Sequence, residues 1–196
     1  LEPTANYKWS DGEERDAISV PWVIYKLGID KSAAKAVLTN KDSDYNGEEQ
    51  TWDLSALADQ LTVSANNGAS FGEQSVFAKD AKTYTVTVSI KDKHNYKWSG
   101  EEDAAEAEDL TATWKIAPAA LTVKWTGDSF TYNALAQSPE YEVTGWKGDS
   151  GDYTLTLSIE GEKATNGNAV NAGNYTAKLT LSTSGNMNYY FTPGSE

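Results

Sequence analysis

Five consecutive residues occur twice in this chain: Asn6-Tyr7-Lys8-Trp9-Ser10 returns 89 positions later as Asn95-Tyr96-Lys97-Trp98-Ser99. Three further anchors keep nearly the same spacing. Tyr45-Asn46-Gly47-Glu48-Glu49-Gln50 returns after 87 positions as Tyr132-Asn133-Ala134-Leu135-Ala136-Gln137. Asp80-Ala81-Lys82-Thr83-Tyr84-Thr85 returns after 91 as Asn171-Ala172-Gly173-Asn174-Tyr175-Thr176, and Tyr25-Lys26 matches Trp114-Lys115 after 89. A weaker third copy of the first motif is Asn188-Tyr189-Tyr190-Phe191. A period that drifts by a few residues between independent anchors marks homologous units that differ by loop insertions. The phase of the anchors predicts three pieces: residues 1–30 as the C-terminal hairpin of a preceding repeat, 31–117 as one repeat, and 118–196 as another that lacks its last strand, the counterpart of Leu110–Ile116. Ile116-Ala117-Pro118-Ala119-Ala120-Leu121 runs from one strand into the next without a linker, which predicts a stiff joint.

Within each unit the hydrophobic period is two. Tyr84, Val86, Val88 and Ile90 alternate with Thr85, Thr87 and Ser89, and Tyr153, Leu155, Leu157 and Ile159 with Thr154, Thr156 and Ser158. Leu110-Ala112-Trp114-Ile116, Leu121-Val123-Trp125 and Tyr175-Ala177-Leu179-Leu181 follow the same rule. Alternate side chains of a strand face opposite ways, so each run is apolar inward and Thr, Ser or Lys outward. Asn46-Gly47, Asn67-Gly68, Ser99-Gly100, Gly127-Asp128, Gly148-Asp149, Asn166-Gly167 and Ser184-Gly185 punctuate the runs as turns. Short strands at even spacing predict an all-β chain of tandem immunoglobulin-like sandwich units, with β-grasp-like units carrying one short helix as the alternative. Asp53–Leu61, with Asp53 as N-cap and leucines three or four apart, is the segment expected to form that helix. Glu101–Asp109 reads as an exposed acidic loop. Tyr84 and Tyr175, each shortly after an Asx residue and before an alternating strand, have the placement of a tyrosine corner.

Composition removes most chemistry. With no Cys, no disulfide, Cys-ligated zinc or iron–sulfur cluster can form, and one His cannot supply a multi-His metal site. That residue, His94, aligns with Ala5 and Met187 in the other copies, so no repeated base is available to activate a nucleophile. A net charge of -13 without a basic stripe argues against nucleic-acid binding. No glycine-rich phosphate loop stands between a strand and a helix, and no apolar run spans a bilayer. The chain opens Leu1-Glu2-Pro3-Thr4 and ends Pro193-Gly194-Ser195-Glu196, without leader or anchor, and is expected to be part of a longer protein. Lys26 and Lys115 fall on outward strand positions, which argues against an internal Lys–Asn cross-link.

Two sets of residues remain as candidate sites. Asp42, Asp44, Asn46 and Asp53 reproduce part of the spacing of an EF-hand loop, with Gly47 at its sixth place, and are the candidate calcium ligands. Asp53 is shorter than the usual bidentate Glu, and Glu49 stands where an apolar residue is customary. Trp52 and Trp146, both beside turns, are the candidate ligand-binding aromatics.

The Tyr-Asn-Gly-x-x-Gln start, the Asn-Ala-Gly-x-Tyr-Thr segment and the Thr-Trp-Lys-Ile to Leu-Thr-Val junction resemble tandem β-rich repeats of Gram-positive cell-surface adhesins, the MBG-type and bacterial Ig-like repeats. The chain departs from that pattern at Ala134-Leu135 and at Lys82. The resemblance implies a non-catalytic, extracellular stalk or adhesion module on a bacterial cell surface, without a cofactor. It implies, as alternatives, a module that binds a host glycoprotein such as mucin, a matrix protein or immunoglobulin, or an accessory module of a secreted carbohydrate-active enzyme.

Overall fold

A computed structural model describes residues 19–103, 106–148, 150–165 and 167–192. Of the hairpin expected over residues 1–30, the part in 1–18 lies outside the described residues. The fold is all-β, built as stacked sheets, with one short α-helix among the described residues.

In the first repeat the strands are β1 (Leu27–Ile29), β2 (Lys41–Asp44), β3 (Gln50–Asp53), β4 (Leu61–Ala65), β5 (Ser70–Phe71), β6 (Ser75–Ala78), β7 (Thr83–Ile90), β8 (Tyr96–Trp98) and β9 (Leu110–Ala117). One sheet has the order β2-β9-β7-β4, a second β3-β6-β5, and β1 pairs with β8 in parallel. The last strand, β9, is therefore internal: it is antiparallel to β7 with Tyr84 opposite Trp114, and parallel to β2 with Lys41 opposite Trp114. Trp114 is fully buried and meets Trp52 of the facing sheet edge-on at 6.2 Å and Tyr84 at 6.1 Å. Its indole Nε1–H donates to Ser43 Oγ at 3.0 Å, and Lys41 Nζ lies 4.5 Å above its ring. The alternating inward residues Val86, Val88, Leu110, Ala112 and Ile116 complete this core.

The helix, α1, spans Lys31–Val37 instead of the expected Asp53–Leu61. Asp30 caps it, its Oδ1 accepting from the N–H groups of Ser32 and Ala33, and Ala and Lys are good helix formers. Around Asp53 the cap forms without a helix: Asp53 Oδ1 accepts from Ser55 N–H, but the chain then makes two tight turns, Leu57 N–H to Leu54 O and Leu61 N–H to Ala58 O. Gln74 supplies the reason. Its side-chain amide donates to the carbonyls of Leu57 and Ala58, so those acceptors are met by the neighbouring hairpin, while Leu54, Leu57 and Leu61 are all buried. The acidic segment after Gly100 is also more tied down than expected: Ala107 is buried, Glu108 O accepts from Trp98 Nε1, and Lys31 and Lys97 pair with Glu101 and Asp103.

The second repeat holds β10 (Ala119–Thr126), β11 (Glu140–Thr144), β12 (Tyr153–Glu160), β13 (Thr176–Thr183) and β14 (Tyr189–Phe191). β10 pairs in parallel with β14 and antiparallel with β11, and β12 pairs with β13. The parallel β10–β14 pair repeats β1–β8, so Leu27–Ile29, assigned by the sequence phase to the preceding repeat's hairpin, are the first strand of this one. Residues 19–27 are expected as the final strand of the preceding repeat; 19–26 carry no strand assignment and Leu27 begins β1. Both tyrosine corners are present: Tyr84 OH donates to Asp80 O at 2.8 Å and Tyr175 OH to Asn171 O at 2.6 Å.

Because the Tyr84 corner is buried, Tyr84→Phe leaves Asp80 O without its donor and should cost about 1 kcal/mol in urea unfolding. Tyr175→Phe, at the more exposed corner, should cost less.

Candidate functional site

The four candidate calcium ligands have other occupations. Asp42 and Asp44 lie along β2; Asn46 Oδ1 accepts from Glu48 N–H at 2.9 Å, and Asp53 Oδ1 from Ser55 N–H at 2.9 Å. The Ser55 bonds hold the Asp53 carboxyl below its ordinary range. No group of three or more His, Asp or Glu side chains able to hold a metal forms among the described residues. The Asn46-Gly47 motif is instead an Asx turn with Gly47 at φ +84°, copied at Asn133-Ala134, where Asn133 Oδ1 accepts from Leu135 N–H and Ala134 has φ +66°. At Gly47 the lack of a side chain matters twice, since a Cβ there would collide with Lys147 O of the second repeat.

Of the two candidate ligand-binding tryptophans, Trp52 belongs to the buried core and Trp146 is partly buried against it. Trp52 is only 7% exposed and meets Trp114 edge-on, so its ring is turned into the core. Trp146 is half-buried between Tyr153 and Tyr189, with ring centroids at 5.7 and 5.0 Å. The facing sheet covers the Trp52 indole, whereas the tyrosine cluster covers the Trp146 indole only in part. His94 is exposed, in a loop where Asp92 Oδ1 accepts the N–H groups of His94 and Asn95. Asn95 Nδ2 donates to Asp92 Oδ2 at 2.7 Å, and these bonds, the side-chain one foremost, hold the Asp92 carboxyl below its ordinary range.

One concave feature of the second repeat is a groove of about 940 Å³, which the sequence does not single out. One wall is the segment Trp125–Phe130 with Tyr132; the other is Asn171–Tyr175 with Ala177, and Ile159 lies at its floor. Phe130, Tyr132 and Leu135 are 53%, 61% and 67% exposed. The matching residue to Tyr132 in the first repeat, Tyr45, is 1% exposed and donates its N–H to Ala117 O of β9. The groove thus runs between the counterparts of β2 and β7, where β9 lies in the first repeat. The walls carry mixed polar and aromatic groups without a convergent set of titrating side chains, a surface for backbone pairing and apolar contact.

Comparisons with protein-family models, with curated proteins and with solved structures find no match to this chain.

Millimolar calcium should leave the melting temperature unchanged, because a site binding only the folded state would raise it; a saturable rise lost in Asp42→Asn would restore the calcium reading. Asn95→Ala should move Asp92 part of the way back toward the usual carboxylate titration range, read by carbon NMR, because the backbone donors of residues 94 and 95 remain. With its pKa depressed in the folded state, Asp92's contribution to stability is present above that range and is lost as the pH falls through the folded value.

Proposed function

We propose that this chain is a non-catalytic spacer and adhesion segment of an extracellular bacterial surface protein. The observation that carries this reading is the joint between the repeats. Only Pro118 separates β9 from β10, so bending there would have to unpair strand ends on one side or the other. Asn188, buried at 5% exposure, reaches back across the joint: its Oδ1 accepts from Ala81 N–H at 2.7 Å and its Nδ2 donates to Asp80 Oδ1 at 3.2 Å. Asn186 Nδ2 donates to the other Asp80 oxygen at 2.7 Å. Tyr45 and Tyr189 meet edge-on across the same joint at 5.3 Å.

A joint made of directed hydrogen bonds and interlocked rings fixes one angle between successive units, which is what a projecting stalk requires. The corner bond from Tyr84 to Asp80 O holds the acceptor residue in place for the next unit. The strongly acidic composition and outward Thr rows suit a surface bathed in solvent. In this reading the chain positions a binding element at a distance.

Asn188→Ala should leave Ala81 N–H and Asp80 with fewer partners and cost about 1–3 kcal/mol in unfolding free energy. Small-angle scattering should then report a wider spread of inter-repeat angles. A wild-type chain that already bends freely in solution would refute the spacer reading. Beads coated with the chain, tested on mucin, matrix protein and immunoglobulin surfaces, check its adhesive half.

A further inference from the structure

We infer that the joint between the repeats is a mechanical clamp: tension along the chain passes through β9 and β10 in shear, so the repeats resist lengthwise pulling far better than sideways peeling. The spacer reading concerns the angle of the joint. The clamp concerns the load the joint bears and depends on strand pairing alone.

The load path follows from the pairing. β9 is the strand through which the first repeat is joined to the second, and it is gripped on both edges. It is antiparallel to β7 from Leu110 opposite Val88 to Lys115 opposite Thr83, and parallel to β2 from Trp114 opposite Lys41 to Ala117 opposite Asp44. The grip reaches the joint itself: Tyr45 N–H donates to Ala117 O at 2.8 Å, and Ile116 N–H to Lys82 O at 2.9 Å. β10, through which the second repeat is held, is gripped in the same way. β14 pairs with its first residues, Ala119–Leu121, and β11 with its last, Thr122–Thr126. Ala119 N–H, one residue past the joint, donates to Asn188 O at 2.8 Å. Between the two grips stands Pro118, which has no N–H to leave unpaired.

Force along these strands runs across their hydrogen bonds, so the bonds of both edges carry it together. Force across the sheet meets one pair at a time. Side chains add a second barrier. To slide, β9 must draw the buried Trp114 past Trp52 and Tyr84, whose rings stand 6.2 and 6.1 Å away, and pull its indole N–H from Ser43 Oγ. A slip of one residue turns every inward side chain to the other face, so the nearest register that restores the alternation is two residues on, about 7 Å along the strand. Leu121 and Val123, buried from β10, impose the same step on the other side. The bonds from Asn186 and Asn188 to Asp80 and Ala81 span the same gap as the peptide link through Pro118. That covalent link does not yield, so the strand pairs on either side of it set the limit.

Forced rupture reads the unfolding barrier, and because the chain has no Cys, introduced pairs of cysteines give defined pulling points. Lys91→Cys with Lys124→Cys, both exposed, draws β9 lengthwise past β7: residue 91 follows β7 at the end away from the joint, and residue 124 is connected to β9 through β10. Ser64→Cys with Thr111→Cys pulls across the same sheet, along the rung Ser64–Thr87–Thr111. In single-molecule force measurements the lengthwise rupture force should be several times the crosswise one, with a released length set by the residues between the handles. Two glycines inserted after Pro118 should widen the spread of inter-repeat angles in small-angle scattering and leave the lengthwise force unchanged. A lengthwise force no greater than the crosswise one overturns the inference. So does a lengthwise force that the glycine insertion abolishes, because the resistance then belongs to contacts across the joint and not to the strands.

Discussion

Trp114 sits where every constraint of the first repeat meets. Its strand is flanked on both edges, its ring fills the space between the two sheets, and its indole N–H is paired with Ser43. A strand in the middle of a sheet supplies hydrogen bonds on both sides and one face of core at once, so removing it strips two neighbours of pairing and opens the interior. It is the last strand of its repeat in sequence and an inner one in space. The integrity of the first repeat therefore depends on residues that lie immediately beside the next repeat.

The second repeat illustrates the same dependence from the opposite side. Its β12 and β13 pair over eight residues, with Tyr153 opposite Thr183 and Glu160 opposite Thr176, as regular as any ladder in the molecule. What differs is coverage. The inward side chains of β13 are partly exposed, Phe130 and Tyr132 face solvent, and the segment that would form the edge strand is not paired.

Much of this was legible in the residues. Period-two runs such as Tyr84–Ile90 and Leu110–Ile116 are strands, because alternation is the only pattern that buries one face of a sheet and wets the other. The corner tyrosines were readable from their place beside an Asx residue. The helix was not: the leucines of Asp53–Leu61 have helical spacing, yet Gln74, distant in sequence, donates to the carbonyls of Leu57 and Ala58 beside two tight turns. A position beside a turn makes Trp52 and Trp146 candidates for ligand contact, but sequence does not reveal which sheet folds over them. The EF-like spacing of Asp42, Asp44, Asn46 and Asp53 arose from a strand and two Asx turns that happen to share an interval.

The one-dimensional pattern by itself determined the repeat, the all-β class and which side of each strand is apolar, since these follow from local alternation and turn chemistry. Only the tertiary structure decided that the last strand is an inner one, that Asn188 reaches across the joint to Asp80, and that a groove stays open between the counterparts of β2 and β7. The reason is physical: pairing order and coverage depend on which distant backbone edges meet, and alternation along a strand carries no information about the identity of its neighbours.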